Sequence, residues 1–171
     1  MGIRKRGYEV VREECIEVVS TEIQKRIDNG ENVSKRNGTQ LPVCSDLKSA
    51  GDDFFSKETV TIQPKEQHKF WTDVKAYMGE DEVLIIDVRS SIGDKENIML
   101  ANTIGIVDSS YYGNEKNDGN IGISLYNYGE TSVTIEEGQR IAQGVFLPFL
   151  AADNRIPLQQ KRKGGYGHTG K

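Results

Sequence analysis

Five short segments hold side chains whose kinds and placement are suited to chemistry. The C-terminal stretch Arg162-Lys-Gly-Gly165-Tyr166-Gly167-His168-Thr169-Gly170 combines a cation, a hydroxyl and a flat ring with glycines that free backbone N–H groups. Such a segment can wrap a phosphate while Tyr166 covers a base; the same composition also fits a plain glycine-rich terminus. Asp87-Val-Arg89-Ser90-Ser91-Ile-Gly93 follows an apolar run, and a guanidinium beside two hydroxyls makes a compact oxyanion clamp. A surface arginine before a serine turn has the same appearance. In Asn102-Thr-Ile-Gly105-Ile106-Val107-Asp108-Ser-Ser-Tyr111-Tyr-Gly113, an Asp lies after an apolar strand and before aromatics. It is placed to act as a general base beside a packed ring, or simply to begin a turn. The doubled Asp of Ala50-Gly51-Asp52-Asp53 suits a hydrated Mg2+, which keeps several waters and accepts carboxylates through them, and equally suits a solvated turn. Gly138-Gln-Arg-Ile-Ala-Gln143 reads as a turn glycine and then a strand with polar Gln at alternate positions.

Short β segments must position these groups. Thr59–Ile62, Val83–Val88, Ile98–Ile104, Ile121–Tyr126, Ser132–Ile135 and Ile141–Leu147 are apolar or β-branched runs separated by Gly, Asn, Asp and Pro turns. Many short strands without alternating helices predict a mainly β, antiparallel sandwich or jelly roll. The 18 glycines suit its tight turns and close backbone approaches. One stretch differs. Val11, Cys15, Val19, Ile23 and Ile27 recur every four residues among Glu, Lys and Arg, which predicts an amphipathic helix over about residues 12–29, ending before Asn29-Gly30. Tyr8-Glu-Val-Val equally fits the start of a strand. Residues 30–39 read as a loop.

A chain of 171 residues is long enough for one domain with a real core. With 36% hydrophobic and 28% charged residues, the composition is that of an ordinary globular chain. No apolar run approaches the roughly 20 residues of a membrane helix, and Met1-Gly-Ile-Arg-Lys-Arg lacks a signal peptide's apolar stretch. Cys15 and Cys44 make neither a disulfide framework nor a zinc site, so the expected compartment is reducing. A net charge of −4 argues against a nucleic-acid binder, and the cations that meet an anionic ligand must be local.

Taken in order, these segments resemble the five motifs of the trimeric dUTPase family: Ala50–Asp53, Arg89–Ser91, Gly105–Gly113, Gly138–Gln143 and Gly164–Gly170. The resemblance covers about residues 40–171. Tyr112-Gly-Asn and Val145-Phe-Leu-Pro-Phe-Leu look like the forms found in Gram-positive bacteria and their phages. There are departures. Asp52 stands where an aromatic or aliphatic residue is usual, Ser110 where many members have Asp or Gly, and Tyr166 and His168 where Phe and Ser are commoner. Lys161-Arg162-Lys163 leaves two registers for the tail's cation. Asn114–Gly119 reads as a hairpin insertion, and the N-terminal helical segment lies outside the motif set.

The resemblance implies a single dUTPase-like domain over 1–171 with a jelly-roll-like fold, an N-terminal helical insertion, and a tail over about 160–171 that closes over the site. It implies hydrolysis of dUTP to dUMP and pyrophosphate, which limits uracil incorporation into DNA and supplies dUMP for dTMP synthesis. Asp108 would activate the water that attacks the α-phosphorus. Mg2+ would bridge the phosphates, with Asp53 holding it through water. Arg89, Ser90, Ser91 and Gln143 would grip phosphates, and Arg162, Gly165, Gly167, His168 and Thr169 would close over them. Asn102, Gly105, Ile106 and Val107 would recognise uracil, Tyr111 would pack on deoxyribose and leave no room for a 2′-hydroxyl, and Tyr166 would stack on the base. A homotrimer with sites shared among subunits is implied, in the cytoplasm of a bacterium or phage-infected host, with no nucleic-acid or membrane partner.

Two alternatives stay open on the sequence. A dCTP deaminase of the same fold would need a further carboxylate beside the base, in a motif not found here. A dUTP-responsive regulatory protein would use the N-terminal helix and the Asn114–Gly119 insertion as surfaces for a protein partner.

Overall fold

The computed structural model describes residues 5–31, 33, 34, 36 and 38–156. In chain order its strands are β1 (Gly7–Val10), β2 (Val43–Cys44), β3 (Asp52–Phe55), β4 (Val60–Ile62), β5 (Gln67–Trp71), β6 (Val74–Tyr77), β7 (Glu82–Val88), β8 (Ile98–Leu100), β9 (Gly105–Asp108), β10 (Gly122–Asn127), β11 (Val133–Ile135) and β12 (Arg140–Pro148). Helix α1 (Glu13–Asp28) follows β1 and helix α2 (Ser90–Glu96) follows β7.

Apolar residues at every second position bury one face of strands such as β7 and β10. Leu84 and Ile86 of β7 are buried, as are Ile123 and Leu125 of β10. Strand β12 lies between β3 and β7 in the five-stranded sheet β2-β3-β12-β7-β9. A bulge between Arg140 and Ala142 breaks its alternation, so the successive residues Ile141 and Ala142 are both buried. A second sheet runs β5-β10-β8, and two ribbons pair β1 with β6 and β4 with β11, with all these pairings antiparallel. Phe54, Phe70, Ile62, Leu84, Ile98, Ile123, Leu125 and Ile141 fill the core. The expected mainly β, antiparallel architecture is present, with the helix near the N-terminus.

Helix α1 follows its four-residue pattern. Val19 and Ile23 are buried, Val11 just before the helix is also buried, and Ile27 packs at the core's edge. Glu13 and Glu14 in the first turn and Lys25 and Arg26 in the last complement the helix dipole. The chain turns away at Gly30, whose φ of 78° suits glycine. Tyr8 belongs to a strand, as the second reading of that stretch had it.

Several local expectations need correcting. Asp52 and Asp53 lie in a strand with Asp53 and Phe54 buried, not in a solvated turn. Arg89-Ser-Ser opens α2, because Ile92 buries one face of that short helix and Asn97 ends it in the left-handed region. Strand β8 stops at Leu100, and Thr103 at φ 65° bends the chain before β9. Asn114–Gly119 is a packed turn, not a hairpin of strands: the Gly113 N–H bonds to Asp118 O and the Asp118 N–H to Asn114 O. Strand β5 shows no clear apolar alternation in the sequence because one of its buried positions is His68. Its ring lies 2.9 Å from Glu58 and 3.1 Å from Arg26 of α1.

A fully buried carboxylate locks the corner between β5 and β6. Asp73 receives Arg36 Nη2 at 2.7 Å, the Lys57 ammonium, and Asn120 Nδ2 at 3.0 Å. Arg36 also donates to Trp71 O at 2.7 Å. Burial pushes the Lys57 ammonium below its ordinary pKa, and Asp73 opposes that shift. Removing the Asp73 charge takes from two buried cations the carboxylate they contact. Asp73→Asn, which keeps the shape and tolerates the φ of 57°, is expected to cost about 3–5 kcal/mol in urea unfolding. A loss below about 1 kcal/mol would show that the cluster is not a structural anchor.

Candidate active site

One group of candidate residues gathers where β3, β12 and the end of β7 meet. Gln143 of β12 lies opposite both Asp53 of β3 and Asp87 of β7. Asp53 is buried, and its Oδ1 lies 3.0 Å from Arg89 Nε. Its Oδ2 accepts from Ser45 Oγ at 3.1 Å and from Arg140 Nη1 at 3.2 Å. Two guanidiniums thus converge on one carboxylate, which places positive charge locally on an acidic chain. Ser90 and Ser91 are exposed in the first turn of α2, directly after Arg89. Gly51 leaves room for Gln143: a Cβ there would come within 2.9 Å of Oε1, the movable end of that side chain, and 3.4 Å of its Cβ. Glycine therefore lets the Gln143 side chain lie over the backbone that leads into Asp53.

Asp52, unusual at its place in the motif, has a local explanation. Its carboxylate accepts the Tyr8 hydroxyl at 3.0 Å. The Tyr8 ring packs between Phe54 and Phe146, with centroids 5.5 and 5.3 Å away. Burial raises the Tyr8 pKa and the nearby Asp52 charge raises it further, so the phenol stays protonated and donates. The N-terminal strand thereby ties into the first motif.

The second group forms a cavity of about 220 Å³ between β9, the end of β8 and the start of β10. Asn102, Gly105, Ile106, Val107 and Tyr111 all line it, and Ile86, Leu100 and the Ile121–Ser124 segment complete it. The bend after β8 that shapes its rim is held by Thr103 N–H to Leu100 O at 3.0 Å and Ile104 N–H to Asn102 O at 2.8 Å. Asp108 is not among the lining residues. It is exposed at the end of β9, beside a hollow formed with Val83, Ile85, Ile106, Phe149 and Leu150.

The register of β7 measures the distance between these groups. Asp108 lies opposite Val83, at one end of the strand, and Arg89 follows Val88 at the other. At ~3.3 Å per residue, roughly 20 Å of strand separates them. A carboxylate that activates a water must lie within about one water of the atom attacked. One chain therefore does not bring Asp108 and the Arg89 cluster onto one phosphate chain.

Among the described residues, no group of three or more His, Cys, Asp and Glu could cage a metal. A carboxylate has about four acceptor positions, and three donors meet Asp53, which leaves one position for a water. That donor set fits an ion carried mainly by ligand phosphates and met through water. Arg162, Gly165, Tyr166, Gly167, His168 and Thr169 lie outside the described residues. Arg140, Ser45 and Tyr8 also meet the carboxylates of the Asp52-Asp53 segment. Only Arg140 stood in a recognised segment; nothing in the sequence singles out the other two.

A family model described as dUTPase matches residues 38–170. The deoxyuridine 5'-triphosphate nucleotidohydrolase of Lactococcus lactis is 40% identical over 137 residues, which cover 80% of this chain and 91% of that protein. The protein of that name from Mannheimia succiniciproducens is 34% identical over 138 residues, covering 77% and 87%. The crystal structure of dUTPase from Streptococcus mutans is similar with a TM-score of 0.65 and 30% identity, covering 86% of this chain and 99% of that one. The dUTPase from phage phi11 of S. aureus has a TM-score of 0.64 at 19% identity over 92% and 97% of the two chains, a likeness of fold alone. Matched over most of its length, by a family model and by relatives at this identity, the chain belongs to the dUTPase family.

Proposed function

We propose that the chain hydrolyses dUTP to dUMP and pyrophosphate, at a site completed by neighbouring copies of itself. The observation that carries this reading is the cavity lined by Asn102, Gly105, Ile106, Val107 and Tyr111, in a chain whose relatives are named for hydrolysis of deoxyuridine triphosphate. The backbone of residues 102–108 would pair with the uracil edge, Asn102 adding a side-chain bond. Cytosine would leave buried polar groups unpaired, which is the regime of strong selectivity. Tyr111 would pack on deoxyribose.

Asp108 would take a proton from the water whose oxygen attacks the α-phosphorus. As that bond forms, the bond to the bridging oxygen breaks and pyrophosphate leaves in line. Arg89, Ser90, Ser91 and Gln143 would hold the phosphates, and Asp53 would keep the Arg89 guanidinium in place. Mg2+ bound with the triphosphate would neutralise charge developing on the phosphates, and Asp53 would meet it through water. Tyr166 would stack on the base, and Arg162, Gly165, Gly167, His168 and Thr169 would contribute to the phosphate contacts. The separation along β7 supports a site made from more than one copy, and a homotrimer is the assembly we propose. No described helix is long and apolar enough to cross a membrane, and the place of action we propose is the cytoplasm of a bacterium or phage-infected host.

Asp108→Asn is expected to lower turnover of dUTP by about 10²–10⁴-fold while binding persists, since Asn keeps shape and loses basicity. Near-normal turnover would remove Asp108 from the mechanism. Arg89→Ala should also be nearly inactive alone. Co-refolded with Asp108→Asn, it should regain part of the activity, because some sites then combine an intact Asp108 from one copy with an intact Arg89 from another. Mixtures as inactive as their parents would place the site within one chain. The mass in solution should be three times the 19.1 kDa of one chain; a monomer at assay concentration would contradict the shared site. Truncation after Gln160 should reduce turnover steeply and leave the thermal midpoint nearly unchanged, because among the described residues the buried core ends within β12. A truncated protein as fast as the full chain would remove the tail from the site.

A further inference from the structure

The Asn114–Gly119 turn lies directly against the cavity's aromatic wall. Tyr111 sits in the 3-10 turn Ser109–Tyr111, is 6% exposed, and lines the cavity. Its hydroxyl donates to Asn120 O at 2.7 Å and accepts from Asn117 Nδ2 at 2.7 Å. Its carbonyl accepts from Asn114 Nδ2 at 2.9 Å. The far tip of the ring and its backbone are thus both held by the same short turn.

That turn is itself anchored. Asn117 Oδ1 accepts from Asn114 Nδ2 at 2.8 Å, so the two amides brace each other. Gly119, at φ 86°, approaches so closely that a Cβ there would lie 2.8 Å from Tyr111 O. Asp118 is buried, and its carboxylate accepts Arg12 N–H and Lys75 Nζ, each at 2.8 Å. Asn120 exchanges two hydrogen bonds with Asp73, at 2.9 and 3.0 Å. Support runs from the buried Asp73 cluster and the start of α1, through the turn, to the Tyr111 ring.

We propose that this turn is a positioning element for Tyr111, and that Asn117, through the tyrosine hydroxyl, sets the discrimination of deoxyribose from ribose. The inference rests on the reading of the cavity given above as a deoxynucleotide site. The physical reason is that a pocket able to yield rejects an added hydroxyl only weakly. Steric exclusion of a 2′-hydroxyl works only when the wall cannot tilt, and a tyrosine held at its tip by two hydrogen bonds and at its carbonyl by a third cannot tilt without breaking one. Asn117 is not among the residues that line the cavity, so it acts through Tyr111.

The test is the ratio of kcat/KM for dUTP to that for UTP, measured on the full-length assembled protein. Asn117→Ala should lower that ratio about tenfold, the scale of one lost hydrogen bond, chiefly by raising kcat/KM for UTP. Tyr111→Phe, which keeps the ring and removes the hydroxyl, should lower it similarly. The double variant should fall no further, since both changes break the same link. A ratio within about twofold of wild type in Asn117→Ala, or a double variant showing the product of the two single effects, overturns the proposal. Should Asn117→Ala fail to fold, Tyr111→Phe decides alone, an unchanged ratio refuting it. If the wild-type protein shows no preference for dUTP over UTP, it is the deoxynucleotide reading of the cavity that fails.

Discussion

Strand β7 is hydrogen-bonded along both edges, to β12 across Glu82–Val88 and to β9 across Val83–Ile86. Two ladders with alternating burial leave it no room to slip, because a shift of one residue would turn Leu84 and Ile86 out of the core. Everything attached to this strand inherits its register. Arg89 leaves its C-terminal end into α2, Gln143 sits across from Asp87, and Asp108 sits across from Val83. The catalytic candidates are therefore fixed at opposite ends of one rigid rod, and on this separation the proposal of a shared site rests.

Two buried carboxylates, Asp53 and Asp73, each sit among opposite charges and hydrogen-bond donors. Asp53 is met by Arg89, Arg140 and Ser45, and Asp73 by Arg36, Lys57 and Asn120. The two clusters serve different ends. The first lies beside exposed Ser90 and Ser91 and keeps cations at the rim of a candidate phosphate site, whereas the second is sealed and braces a chain corner. Concentrating cations this way reconciles a net charge of −4 with an anionic ligand.

The N-terminal extension and the Asn114–Gly119 insertion, which looked unrelated in the sequence, support each other. Asp118 receives the N–H of Arg12, the residue that leads into α1, while Lys75 bonds Asp118 and lies 4.9 Å from the Tyr112 ring. Tyr8 reaches Asp52 on the other side. Both additions thus connect to motif residues, one at Asp52 and the other at Tyr111.

The sequence alone determined those features whose causes are local. Alternating apolar runs specify strands, a four-residue period specifies α1, and short motifs in order specify the family and name Asn102, Gly105 and Tyr111 for the cavity they line. Features set by distant partners were not legible. Asp53 reads as a turn residue until Arg89 and Arg140 arrive across β12, and β5 is hidden because His68 is apolar in position but not in kind. Asn117 lies only six residues from Tyr111, yet no period or turn rule marks it, because its bond depends on how the turn folds back onto the ring. Hydrophobic period and turn chemistry act over a few residues and can be read along the chain, whereas a hydrogen bond to a buried carboxylate or phenol belongs to the tertiary structure, which alone decides which donor arrives there.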